Sequence, residues 1–161
     1  MLMNMTKFIV SKSLLEKIED SDVIYYDFSQ SQVILENQAG LVRLSCTSLD
    51  AFFNACTLCF GHSLAGQKEA YRKLMHGRKF IPLLLSADPL LFFLPIRTHG
   101  ACIYLNFSLI QYPFENKTKN RSSLRFADGL QIADLSIGQV ERNYLNAKWY
   151  LSSIYSSQSS Q

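Results

Sequence analysis

At 161 residues with 48% hydrophobic side chains, the chain has material for one packed core, which argues against extended disorder and against several domains. Its most apolar stretch, Phe80 to Ile96, is interrupted by Pro82, Asp88 and Pro89, so no segment is expected to cross a bilayer, and the opening Met1–Lys7 lacks the basic-then-apolar layout of a secretion signal. The net charge of +3 is modest, and the expectation is a cytoplasmic protein with one domain over residues 1–155.

In chain order, Val23–Phe28, Gln32–Glu36 and Leu41–Cys46 read as short strands, rich in β-branched and aromatic residues and separated by polar or glycine-containing turns. Ser48 is placed to cap a helix through Cys56. Gly61 and Gly66 then bracket a tight loop, and a short helix from Gln67 to Met75 would present Lys68, Arg72 and Lys73 largely on one face. Ile81–Leu85 and Leu90–Leu94 read as strands joined across Asp88-Pro89, and Cys102–Phe107 alternates like another. Glu115–Ser123 is polar, basic and aperiodic, and reads as a loop. Asp128-Gly129 between alternating flanks predicts a two-residue hairpin turn. Ser136 and Gln139 have capping-box spacing, and Val140, Tyr144, Ala147 and Leu151 form an apolar stripe, so a helix is expected from Ile137 to Ser153. A disordered tail is expected at residues 156–161. The fold class is therefore α+β: mostly antiparallel short strands, one or two central helices, and a closing amphipathic C-terminal helix.

Charge is distributed unevenly along these elements. Residues 1–66 hold four basic and seven acidic groups, residues 67–125 ten basic and three acidic, and the remainder two and three. A net of +7 in the middle third, beside an acidic first part, points to one basic face rather than general attraction to polyanions. On charge alone, phosphate binding and a solvated loop surface stand level.

The four cysteines are expected to be core thiols. Cys56-x-x-Cys59 with His62 lacks the second ligand pair that a structural zinc site needs, so neither metal nor cofactor is expected. His62-Ser63 has no nucleophile elbow around it, no glycine-rich phosphate loop is present, and the chain does not read as an enzyme. Trp149, on the last helix, is expected to be a core or interface anchor, with burial in its own fold preferred.

Three stretches, in order, resemble the ComK family of competence transcription factors. Phe60-Gly-His-Ser-Leu-Ala-Gly-Gln-Lys68 is similar to that family's F-G-x-S-x-x-G-[RK]-K loop. Leu91-Phe-Phe-Leu-Pro95, followed by Cys102-x-Tyr104, is similar to its F-L-F-P strand and Cys-x-aromatic pair. Phe126-x-x-Gly129, Ser136 and Asn146-Ala-Lys-Trp149 are similar to its F-x-N-G hairpin and closing helix. The likeness runs over roughly residues 7–153. Gln67 departs from it, standing where a basic residue is usual, and the interval from Pro95 to Cys102 is short. The basic C-terminal extension recognised by the MecA adaptor and ClpC protease is not matched, so control by that route is not expected.

The resemblance implies a transcriptional activator of DNA-uptake genes, binding AT-rich boxes of double-stranded DNA largely through the minor groove as a homodimer or higher oligomer in the nucleoid. Arg72, Arg78, Arg97, Arg121 and Arg125 are the candidate groove or phosphate arginines, because a narrow A-tract groove favours the planar, weakly hydrated guanidinium. Lys68, Lys73, Lys79, Lys117 and Lys119 are candidate phosphate ligands, and Ser63 with the Gly61 and Gly66 backbone could donate to phosphate oxygens. The alternative is a ComK-like paralogue that acts through protein contacts or mixed oligomers, with weak DNA binding of its own.

Overall fold

Helix α1, Lys12–Glu19, starts where Ser11 Oγ accepts the Leu14 N–H at 3.1 Å, and it buries Leu14 and Ile18, one turn apart. Periodicity gave no warning of this helix, whose buried stripe is only two residues long. The computed structural model describes residues 10–77, 79–98, 100–118 and 121–159, with only the backbone at 113, 115–118, 121–122, 137 and 156–159.

Strands β1 (Val23–Asp27), β2 (Gln32–Asn37) and β3 (Gly40–Ser45) form an antiparallel meander in the expected places. Helices α2 (Leu49–Cys59) and α3 (Leu64–Met75) follow, then β4 (Leu83–Ala87), β5 (Leu90–Thr98) and β6 (Ala101–Asn106). All six strands pair antiparallel in the order β3-β2-β1-β6-β5-β4. After a 3-10 turn at Phe107–Leu109, β7 (Ile110–Thr118), β8 (Arg121–Phe126) and β9 (Gln131–Ser136) make a second antiparallel sheet, and α4 (Ile137–Ser159) closes the chain. The architecture is α+β.

The large sheet is buried on both faces, which explains the unbroken apolar run in β5. Leu91 and Phe93 point into one core with Leu14, Ile18, Phe52, Phe53 and Cys56 of α1 and α2. Phe92, Leu94 and Ile96 point into the other, with Leu124, Phe126, Leu135 and the α4 stripe. Alternation therefore persists, with both parities apolar. Pro95 fits because β4 pairs with β5 only as far as Phe93, so no ladder hydrogen bond is required of it on that side. Helix α3 lies against edge strand β4 and links the two cores, placing Leu64 in one and Tyr71 in the other.

Val140, Tyr144, Ala147 and Leu151 are all buried, as their spacing predicts. Tyr144 stacks on Phe107 at 4.9 Å and on Tyr112 at 4.8 Å, while Tyr150 meets Tyr71 edge-on at 4.9 Å. Aromatic contacts thus pin α4 to the second sheet and to α3. The helix continues past Ser153 to Ser159, across part of the stretch read as a tail. Leu145 and Trp149 lie on the opposite side and are exposed, Trp149 at 57%. The expected burial of Trp149 is thereby corrected: five residues from Tyr144 places it about 140° around the helix, away from the stripe.

Three other expectations are corrected. Residues 115–118 and 121–123 lie in strands, with Glu115 opposite Ser123 and Thr118 opposite Arg121. A ladder is held by main-chain hydrogen bonds and needs no apolar alternation, so a polar, aperiodic stretch pairs as strands here. The β8–β9 turn has three residues: Phe126 N–H donates to the Leu130 carbonyl at 2.9 Å, with Gly129 at φ +100°. Of the cysteines, Cys56 is buried, Cys46 is half-buried, and Cys59 and Cys102 are exposed. Phe52, Phe53, Cys56 and Thr57 take the inner side of α2 and leave Leu58 and Cys59 outside.

Candidate nucleic-acid interface

The Phe60–Lys68 stretch is the junction of α2 and α3. Gly61, at φ +79°, ends α2: its N–H reaches the Leu58 carbonyl at 3.1 Å, and His62 N–H reaches Thr57 at 3.0 Å. This pair of bonds is the Schellman arrangement, which favours glycine. Ser63 caps α3, its Oγ accepting Gly66 N–H at 3.0 Å. Helix α3 therefore begins at Leu64, not Gln67, and Gly66 lies within its first turn rather than in a loop. A Cβ on Gly66 would meet Ser63 Oγ at 2.9 Å. The spacing of serine and glycine thus has a capping role, and the Ser63 hydroxyl hydrogen is still free to be donated to an anion.

The cations of α3 divide by direction. Lys68 reaches across to Asp50 of α2 at 3.9 Å, and Lys73 pairs with Glu69 within the helix at 3.6 Å. Lys68 and Arg72 are one turn apart, whereas Lys73 lies about 100° further round, so the three do not share one face as expected. Arg72 and Lys73 stand in the last turn, where cations also favour the helix dipole. Both are exposed, as is Lys79 just beyond the His76 cap. Arg78 lies outside the described residues. Gln67 is half-buried.

Arg97, next to last in β5, lies in register with Cys102. Lys68, Arg97 and Asp50 all stand within electrostatic reach of the Cys102 sulfur, so two of the candidate cations do converge there. Crowding of that sulfur raises the thiol pKa, and Arg97 and Lys68 act against the rise. Beside them, β1 and β6 pair only at Val23–Leu105 and Ile24–Tyr104 and then part. A cavity of about 490 Å³ opens there, walled by Tyr26, Phe28, Leu49, Ile103 and Tyr104. Nothing in the spacing of these residues announced it, because the gap depends on where two distant strands separate.

The second sheet carries the remaining candidates. Arg125 is exposed on β8. With the Gln131 carboxamide oriented so that its oxygen faces the guanidinium, Arg125 Nη2 and Nε donate to it at 2.6 and 3.0 Å. Lys117 and Arg121 occupy β7 and β8 toward the far end of that hairpin, with Arg121 about 13 Å along the strand from Arg125. Lys119 lies outside the described residues. The predicted cations among the described residues therefore belong to two groups, one around α3 and the end of β5, the other on the second sheet.

A ComK protein family model matches residues 21–159. The chain belongs to the ComK family. No curated protein and no solved structure matches it. ComK proteins are competence-type transcription factors, a class distinct from enzymes. In this ComK chain the three family-like stretches become structural units: the α2–α3 junction, the β5–β6 pair, and the β8–β9 turn leading into α4. Two of the three build the framework on which the basic groups sit. Among the described residues no three His, Cys, Asp or Glu side chains come together as metal ligands, and no helix is long and apolar enough to cross a membrane.

Proposed function

We propose that this ComK-family protein activates DNA-uptake genes by binding AT-rich promoter boxes, largely through the minor groove, as a cooperating dimer in the bacterial cytoplasm. The observation that carries the reading is the placement of Arg72, Lys73 and Lys79, all exposed, at and just beyond the end of α3 in a chain of this family. The ion pair of Lys73 does not oppose it. Lys73–Glu69 leaves both side chains at least 66% exposed, a geometry worth about 0–1 kcal/mol and readily exchanged for phosphate.

The β7–β8 hairpin supports the same reading from the second sheet. Its edge strand β7 bears Lys117 and its central strand β8 bears Arg121 and Arg125, residue types that serve phosphate contacts and, for arginine, a narrow minor groove. Arg125, oriented by Gln131, is a planar donor set in advance of contact, which lowers the ordering entropy lost on binding. Lys68 and Arg97, with Ser63 at the α3 cap, would take phosphates along the flank, while Gly66 lets the cap form.

The test is a gel-shift comparison of AT-rich and GC-rich duplexes of equal length, repeated with a minor-groove competitor. Preference for the AT-rich duplex that the competitor abolishes supports the reading, and equal affinity for both duplexes contradicts it. A second reading, action through protein contacts with a full-length relative, draws on Leu145 and Trp149, exposed on the outer side of α4. Adding the relative to the same titration separates the two.

A further inference from the structure

The α1–β1 junction holds a carboxyl group in an unusual position. Asp22 is 1% exposed, and among the described residues neither of its carboxyl oxygens has a hydrogen-bond donor. Its backbone is fixed on both sides: the N–H donates to the Glu36 carbonyl at 2.9 Å, and the carbonyl accepts from Asn106 N–H at 2.8 Å. The side chain that meets it is Asp128, at the tip of the β8–β9 turn. Asp128 accepts one backbone donor on each oxygen, Gln38 N–H at 3.0 Å and Leu130 N–H at 3.1 Å, and keeps lone pairs for a further donor.

Two carboxylates are both acceptors, so they can bond only if a proton sits between them. We propose that Asp22 and Asp128 share one proton, carried on Asp22, and that this proton latches the β8–β9 hairpin of the second sheet to the β2–β3 turn and the α1–β1 junction of the first. Asp128, with two backbone donors, is the partner that stays ionised. The other charged group facing Asp22 is Glu36 of β2, which adds a further negative charge; Asn106 beside it is neutral, and no cation among the described residues offsets these charges. Burial first, then the bond and charge of Asp128, then Glu36, raise Asp22 to about 8. Asp128 is correspondingly lowered, first by its bond with Asp22. The latch is independent of whether the chain binds DNA, although the hairpin it holds carries Arg125.

The linkage has a definite sign. The folded-state value of Asp22 lies above its ordinary carboxyl value of 3.8, so the proton is held more tightly by the folded chain. Its contribution to stability is complete below about 4, falls as pH rises, and is lost once pH passes about 8. Above that point both carboxylates are charged and the latch opens.

The test is a carboxyl-carbon NMR titration of the full chain, alongside urea unfolding from pH 4 to 9, for the wild type, Asp22→Asn and Asp128→Asn. The wild-type Asp22 signal should titrate near 8 with no step near 4. Its folding equilibrium constant should lose up to tenfold more per pH unit than that of Asp22→Asn between about 4 and 8. In Asp22→Asn the amide can donate to Asp128, so the Gln38 and Leu130 amides should keep their exchange protection at pH 9, where the wild type loses it. Asp128→Asn should lower the Asp22 titration by giving the ionised form a donor. An Asp22 signal titrating below about 5, parallel pH profiles for wild type and Asp22→Asn, or an Asp22 signal that shifts saturably with calcium would each overturn the proposal. If Asp22→Asn does not fold, the titrations of wild type and Asp128→Asn decide it.

Discussion

Replacing Arg72, Lys73 and Lys79 together by glutamine removes three exposed cations at the end of α3 while keeping side chains with good helix propensity. The structural cost is small. Two of the three lie in the last helical turn, where each cation favours the helix dipole by about 0.3–1 kcal/mol, and the single ion pair lost adds at most about 1 kcal/mol. Against a domain stability of about 5–15 kcal/mol, the fold should survive. The effect on DNA binding is larger and has a distinct signature. Each lost phosphate contact makes the salt slope shallower by about 0.9, so three remove about 2.7. Over a fourfold rise in salt, the wild type should then lose about 40-fold more affinity than the variant. Fluorescence anisotropy on an AT-rich duplex between about 50 and 200 mM salt measures this directly. Parallel log–log lines from a variant with wild-type circular dichroism would refute the assignment of these cations to phosphates.

Other consequences concern the framework. Tyr144→Ala removes a buried ring in contact with Phe107, Tyr112 and Phe114 and should cost about 3–5 kcal/mol in urea unfolding, whereas Tyr144→Phe should cost under about 1 kcal/mol. Gly66→Ala should be near neutral in the wild type, because a helix-propensity gain of about 1 kcal/mol is offset by crowding of the Ser63 cap. In a Ser63→Ala background the same change should stabilise by about 1 kcal/mol, so a double-mutant cycle with no coupling would show that the cap is not strained by a Cβ. Trp149, the single tryptophan and 57% exposed, should emit like a solvated indole and be readily quenched by acrylamide; a blue-shifted, protected spectrum would place it in an interface.

Much of this architecture was legible where one local rule dominated. The β1–β3 meander, the Ser48 cap and the α4 stripe each depend on neighbouring residues and a single period. Legibility failed where distant segments decide the outcome. Helix α1 shows only two buried positions, and residues 115–118 and 121–123 are held by main-chain bonds that side-chain polarity does not report. Gly66 looked like a loop residue because glycine is associated with turns, yet here its lack of a Cβ makes room for the serine cap. The basic middle third is a property of sequence position, and folding divides it between α3 with β5 and the second sheet. Asp22 is the clearest omission. Nothing near it in sequence separates it from surface aspartates, and the carboxyl that meets it lies on a hairpin more than 100 residues later.

A footprint on a competence-gene promoter tests most directly whether this ComK-family chain reads AT-rich DNA from the minor groove. Protection confined to paired AT-rich boxes, lost with a minor-groove competitor and unaffected by methylation of guanine N7 in the major groove, is the predicted result. Protection that is absent, uniform along the promoter, or abolished by the major-groove modification would contradict it.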